Sequence, residues 1–265
     1  MDEDALAKPT VLAPPTGARV RRELAYHVDA LGELRLDAYR PARGEGPWPA
    51  VFLVNGDADE AVIARAKDWG VFRSYGEHLA ARRLVGIPFN HRSTRTLSRT
   101  EVAAEVAAAV AYARGHASEL AIDPDRVGVW AFSAAGAFAL APLLRERPRY
   151  LRAVAGFYTV WDLAPFRASS SAPSEETIRQ WSATAALGDS GEGLPPIFIG
   201  VADRDTAPLM TGAERFIARA HELGVDVRVH HHESGRHGFD TLDDDERSRT
   251  LITAALEFFA AELRR

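Results

Sequence analysis

The chain contains no cysteine. That excludes disulfides, thiolate metal sites and a cysteine nucleophile. Lysine is nearly absent too: Lys8 and Lys67 are the only two, and every other basic side chain is arginine. So complete a bias reads as genome composition as much as selection, and an isolated arginine is therefore a weak functional signal. No run of about 18 apolar residues occurs, so no membrane-spanning helix is expected. The first ten residues, MDEDALAKPT, are acidic and lack an apolar segment, which does not support a signal peptide. A cytoplasmic location follows by default. Basic excess is also missing, since the formal net charge is -5, and this argues against nucleic acid or an anionic membrane as main partner. There is no internal repeat and no low-complexity tract.

What is present is a chain of 265 residues that is 46% hydrophobic, enough for one large α/β core. Residues 1–18 hold three prolines and no periodicity, and read as a loosely packed, flexible arm. Arg19 to Arg40 alternates around Leu31-Gly32, the pattern of an antiparallel strand pair at a sheet edge. Then come continuous apolar runs typical of strands buried on both faces: PAVFLVNG, LVGIPFN, RVGVWAF, RAVAGFY, PPIFIGVA and VDVRVHH. Helical segments separate them. Ser74 to Glu77 and Ser98 to Glu101 both read as capping boxes. The stretch Ala134 to Arg147 is helical and stopped by Pro148, Ala213 to Leu223 is helical and stopped by Gly224, and Asp243 to Arg265 forms a final amphipathic helix. Strands alternating with helices predict an α/β fold: a mostly parallel central sheet, helices on both faces, and an antiparallel N-terminal edge. The rhythm runs unbroken to the end, so residues 19–265 are expected to form a single domain.

In such sheets ligands bind at the carboxyl ends of the strands. Ser133 follows RVGVWAF, Asp203 and Asp205 follow PPIFIGVA, and His237 follows the last strand. A serine hydroxyl becomes a competent nucleophile when a histidine accepts its proton. A carboxylate in turn fixes the histidine tautomer and stabilises the imidazolium. Ser133, an aspartate and His237 thus form a candidate triad in chain order. Candidate donors to an oxyanion are the N–H of Ala134 and that of Gly56 or Asp57. The segment WAFSAAG departs from the G-x-S-x-G pattern of a nucleophile elbow, having Ala131 and Ala135 in place of both glycines. Those positions need small residues, and the strain of the turn falls on the serine itself. A strained backbone, not the ordinary φ of a helix start, is therefore expected at Ser133, in an elbow slightly tighter or shifted than with glycine, with Gly136 absorbing the difference.

WAFSAAG, the aspartate loop, GRHGFD (Gly235 to Asp240) and Asp68 to Arg92 together resemble the α/β-hydrolase superfamily. The nearest likeness is to its dienelactone-hydrolase-like and small serine esterase branch. The resemblance covers the chain from about residue 20 onward. It implies an α/β-hydrolase fold and a serine hydrolase that cleaves carboxylic esters through an acyl-enzyme without a cofactor or metal. Its partner would be a small-molecule ester, and a homodimer is a common assembly of the fold. Dienelactone hydrolases use a cysteine where this chain has Ser133, which favours an ester or another activated acyl compound. The family's strand-end pattern, laid on PPIFIGVADRD, selects Asp205, while a second register selects Asp203.

Other readings stay open on the sequence alone. Lactone hydrolysis, peptide hydrolysis and noncatalytic ligand binding on the same fold are the alternatives, although peptidases of this fold carry a large extra domain for which there is no room. Arg92 could bind a substrate carboxylate or form a structural ion pair. His230, His231 and His232 alternate across a strand and do not converge on one metal ion. Several aromatic residues, Tyr158 and Trp161 among them, fall near the expected active face without a distinct role. Residues 161–194 are a candidate small flap.

Overall fold

The computed structural model describes residues 7–168 and 172–265. Eight strands form one sheet in the order β1-β2-β4-β3-β5-β6-β7-β8. They are β1 Arg19–Asp29, β2 Gly32–Arg40, β3 Trp48–Val54, β4 Val85–Pro88, β5 Ile122–Phe132, β6 Leu151–Phe157, β7 Ile197–Ala202 and β8 Val227–His232. The β1-β2 and β2-β4 pairs are antiparallel, and all pairs from β4 through β8 are parallel.

Strand alternation explains the two-sided core. In β3 every residue is buried. Ala50, Phe52 and Val54 enter the apolar cluster on one face, and Val51 and Leu53 enter that on the other. The first cluster packs under α2 (Arg99–Gly115) and α5 (Ala207–Glu222), while the second packs under α1 (Gly70–Ala81) and α7 (Glu246–Glu262). Between them in sequence lie α3 (Ala141–Glu146), α4 (Glu175–Trp181) and the four-residue α6 (Phe239–Leu242).

The capping box at Ser98 is present: its hydroxyl accepts from Glu101 N, and Glu101 reaches back to Ser98 N. The one read at Ser74 is corrected. Helix α1 begins at Gly70, and Ser74 lies inside it, with Oγ donating to Gly70 O at 2.8 Å. A serine in a helix interior can bond back to the carbonyl one turn earlier, so the same residue pattern serves a different position. Helix α5 likewise starts six residues before the expected Ala213. Pro208 sits in its first turn, where a missing N–H costs no hydrogen bond.

Of the stretch read as a loose arm, residues 1–6 lie outside the described residues. Thr10 to Leu12 are tied down: Thr10 N donates to Ser74 Oγ and Val11 N to Asp240 O. His78 Nε2 lies 3.1 Å from Leu12 O. In the segment read as a flap, residues 169–171 lie outside the described residues. Trp161, Leu163, Ile178 and Trp181 in that segment are buried. Among the described residues, no helix is long and apolar enough to cross a membrane.

Candidate active site

The site is built on the turn after β5. Ser133 has φ 52°, a left-handed backbone in a residue with a Cβ. Such a conformation costs on the order of 1–3 kcal/mol and persists only where its surroundings hold it. Here Ser133 N donates to Phe157 O, and Ser133 O accepts from Val160 N at 2.8 Å. Ala135 has an ordinary helical φ of -60°, and Ala131 is fully buried in β5. Alanine therefore fits both framing positions, because the strain resides on the serine alone.

Glycine is needed one step later. A Cβ on Gly136 would stand 2.1 Å from Val160 O and 2.4 Å from Thr159 Cγ2. Gly136 opens a π-helical turn, Gly136–Leu140, that runs directly into α3. It allows the helix to lie against the chain leaving β6. Its role is clearance rather than an unusual φ.

His237 reaches this turn from the loop after β8. Its Nε2 lies 2.9 Å from Ser133 Oγ, and its Nδ1 lies 2.6 Å from Asp205 Oδ2. Asp205 follows β7, and its side chain is 4% exposed, which shields the contact from water. The tautomer that satisfies both contacts carries its proton on Nδ1, leaving Nε2 to accept from the serine hydroxyl. Of the two candidate aspartates, the structure brings only Asp205 to His237. Asp203 is instead held by His231 Nδ1 at 2.8 Å. The physical reason is the strand pleat: β7 and β8 pair in parallel, Val201 opposite His231, and Asp203 emerges toward the end of β8.

Gly56 presses against the same serine. A Cβ there would come 2.7 Å from Ser133 Cβ and 3.2 Å from Oγ. Among the described residues, the backbone N–H groups of Ala134, Gly56 and Asp57 donate to no protein acceptor. The Asp57 carboxylate is taken up by the loop after β4, accepting from Ser93 Oγ at 2.8 Å and from Thr94. This ties the loop after β3 to the loop after β4 while leaving the N–H groups of Gly56 and Asp57 unengaged.

Arg92, the candidate for substrate carboxylate binding, is spent elsewhere. Its guanidinium donates to Glu105 at 2.5 Å and to Asp29 at 2.7 Å, and Arg92 and Glu105 are both buried. The ion-pair alternative describes it. The three consecutive histidines diverge: His230 stacks on Phe198, His231 bonds Asp203, and His232 bonds Ser248. Glu23, Asp37 and Asp68 bring carboxylate oxygens together. The Lys67 ammonium already fills that space, 3.3 Å from Asp37 and 3.0 Å from Asp68.

Sequence reasoning placed Tyr158 near the active face without a role and missed its partners. Tyr158 packs its ring on His237, centroids 4.7 Å apart, and its hydroxyl donates to Asp240 Oδ1 at 2.8 Å. Tyr75, in α1, donates to Asp240 Oδ2 at 2.7 Å. Asp240 ends the GRHGFD stretch and is fully buried. Burial pushes its carboxyl above the usual carboxylate range, and the two phenol donors and His237 pull the other way. Burial likewise holds both tyrosines well above their ordinary value, so they stay protonated donors. The motif pointed to His237. The carboxylate three residues on carried no separate signal, because its partners lie 165 and 82 residues away in sequence.

The family model BD-FAE matches residues 36–193, more than half of the chain. No curated protein matches the sequence. Similar solved structures include an esterase of Thermogutta terrifontis, 20% identical with TM-score 0.72 over 94% of each chain. That same esterase is also described phosphoramylated by tabun. A bacterial heroin esterase is 20% identical with TM-score 0.78, covering 96% of this chain and 88% of that one. Esterase B from Lactobacillus rhamnosis is 14% identical with TM-score 0.76, covering 99% and 92% respectively. The likeness places the chain in the α/β-hydrolase fold.

Proposed function

The chain belongs to the BD-FAE family, and from that premise we propose that it is a serine hydrolase of carboxylic esters with Ser133, His237 and Asp205 as its catalytic triad. The observation that carries this reading is His237 bridging Ser133 Oγ and Asp205 Oδ2.

Ser133 Oγ attacks the ester carbonyl carbon as its proton passes to His237 Nε2. Asp205 stabilises the resulting imidazolium. The N–H groups of Ala134 and of Gly56 or Asp57 receive the oxyanion, and their lack of protein acceptors suits them to it. Collapse expels the alcohol, which takes the proton from Nε2 and leaves an acyl-serine. Water then attacks the acyl carbon and gives a proton to Nε2; collapse returns that proton to Ser133 Oγ and releases the carboxylic acid and the free serine. The small-molecule ester is the substrate class. Resemblance of GRHGFD to the dienelactone-hydrolase-like branch adds lactones to the panel worth assaying.

A fluorophosphonate probe is expected to label the protein at Ser133, and Ser133→Ala is expected to lose both labelling and p-nitrophenyl acetate hydrolysis. Hydrolysis by Ser133→Ala at the parent rate would overturn the mechanism.

A further inference from the structure

We propose that Asp240 is a positioning residue for His237, acting through Tyr158 and through its own negative charge. The inference rests on the triad reading above but concerns residues outside it.

Three observations meet at this carboxylate. Both of its oxygens accept from a tyrosine hydroxyl, one from Tyr75 on α1 and one from Tyr158 after β6. Two phenol donors favour the ionised carboxylate and oppose the effect of burial. Its backbone carbonyl accepts from Val11 N, so the N-terminal stretch closes over it and water is kept out. The third observation is the backbone of Tyr158, whose φ is 40°, a left-handed conformation in a bulky residue. Nothing in an isolated turn favours that conformation for tyrosine. It is held by Tyr158 N donating to Gly200 O and, at the far end of the side chain, by the Asp240 bond.

The result is a ring fixed at both ends and laid against the His237 imidazole, centroids 4.7 Å apart and planes tilted by 56°. His237 otherwise stands on an exposed loop, its own side chain 42% exposed. Asp205 fixes only one edge of the ring. Tyr158 supplies a wall, and Asp240 fixes the wall. The carboxylate also adds a second negative charge near the imidazolium, in a dry setting where it is weakly screened.

The groups facing His237 are Ser133 after β5, Tyr158 after β6, Asp205 after β7 and Asp240 on α6. Tyr75 on α1 faces Asp240 from the other side. Arg236, the neighbouring cation, is turned away and paired with Asp243. Removing the Asp240 charge therefore makes imidazolium formation harder.

The test compares the parent protein with Asp240→Asn and Tyr158→Phe. Titration of the His237 ring followed by NMR reads the inference without any turnover, so it stands apart from whether the chain hydrolyses esters. Asp240→Asn is expected to move the NMR titration of the ring to lower pH than in the parent. On an ester substrate, the acid limb of the kcat/KM profile should move by the same amount, with KM little changed and the plateau kcat down about 3- to 30-fold. Tyr158→Phe keeps the charge and the ring but frees the ring's far end. It is expected to lower kcat with a smaller shift of that titration, and it supplies the reading if Asp240→Asn does not fold. His237 titration and kcat unchanged in the folded variants would overturn the inference. So would a loss of thermal stability with neither quantity moved.

Discussion

Gly56 stands so close to Ser133 that a single methyl group on it would lie 2.7 Å from the serine Cβ and 3.2 Å from Oγ. The contact ties the loop after β3 to the elbow after β5, two strands that are neighbours in the sheet. On the proposed mechanism it also bounds the space open to a substrate carbonyl. Gly56→Ala is expected to fold, since the loop is partly exposed, and to lower kcat/KM by about 100-fold or more through displaced oxyanion donors. A circular dichroism spectrum like the parent's, alongside esterase kinetics, checks this. Activity within a few-fold of parent would show that the loop adjusts freely.

The two aspartates after β7 make a paired prediction. Asp205→Asn removes the acceptor that fixes the His237 tautomer, and kcat is expected to fall by about 10³- to 10⁴-fold. Asp203→Asn removes a contact to His231 on the surface. Its expected effect on kcat is less than about 3-fold, surface polar changes being small. Equal losses in both variants would contradict the assignment of the acid.

Arg92 and Glu105 form a buried ion pair between the end of β4 and α2. Arg92→Met would leave a buried carboxylate without its cation and is expected to destabilise the protein by about 3–5 kcal/mol. Arg92→Met with Glu105→Gln should recover much of that loss, because neither charge is then stranded. Urea unfolding of the three variants measures it. A neutral ester should be hydrolysed by the folded fraction at close to the parent kcat/KM.

His78 links α1 to the docked N-terminal stretch. Burial lowers its pKa from the ordinary 6.5 to about 4. The folded state thus holds the ring neutral while the unfolded chain protonates it. Stability is full above about pH 6.5 and falls as the pH drops toward 4, because there the unfolded state binds the extra proton. The full span is worth up to about 3 kcal/mol. His78→Gln is expected to be less stable than parent at pH 7.5 and to lose less on going to pH 4.5, read from thermal midpoints. Parallel curves for the two proteins would show that His78 does not contribute the slope.

The sequence by itself determined the strands, their alternation with helices and the order in which Ser133, the aspartates and His237 arrive. These are local or periodic properties: a run such as PAVFLVNG has one low-energy place, between two apolar layers. It also determined that alanine could stand at 131 and 135, since small size was the requirement. Tertiary structure decided what depends on meetings between distant segments. It chose Asp205 over Asp203 because the register of β7 on β8 gives Asp203 to His231. It placed the need for glycine at 136, where the chain after β6 crosses the helix start. It took Arg92 into an ion pair and moved the start of α1 to Gly70, four residues ahead of the apparent cap. The Tyr75, Tyr158 and Asp240 cluster was invisible for the same reason. None of the three has an evident role in its own segment, and only the tertiary fold brings them into one dry space, where both tyrosine hydroxyls meet the Asp240 carboxylate.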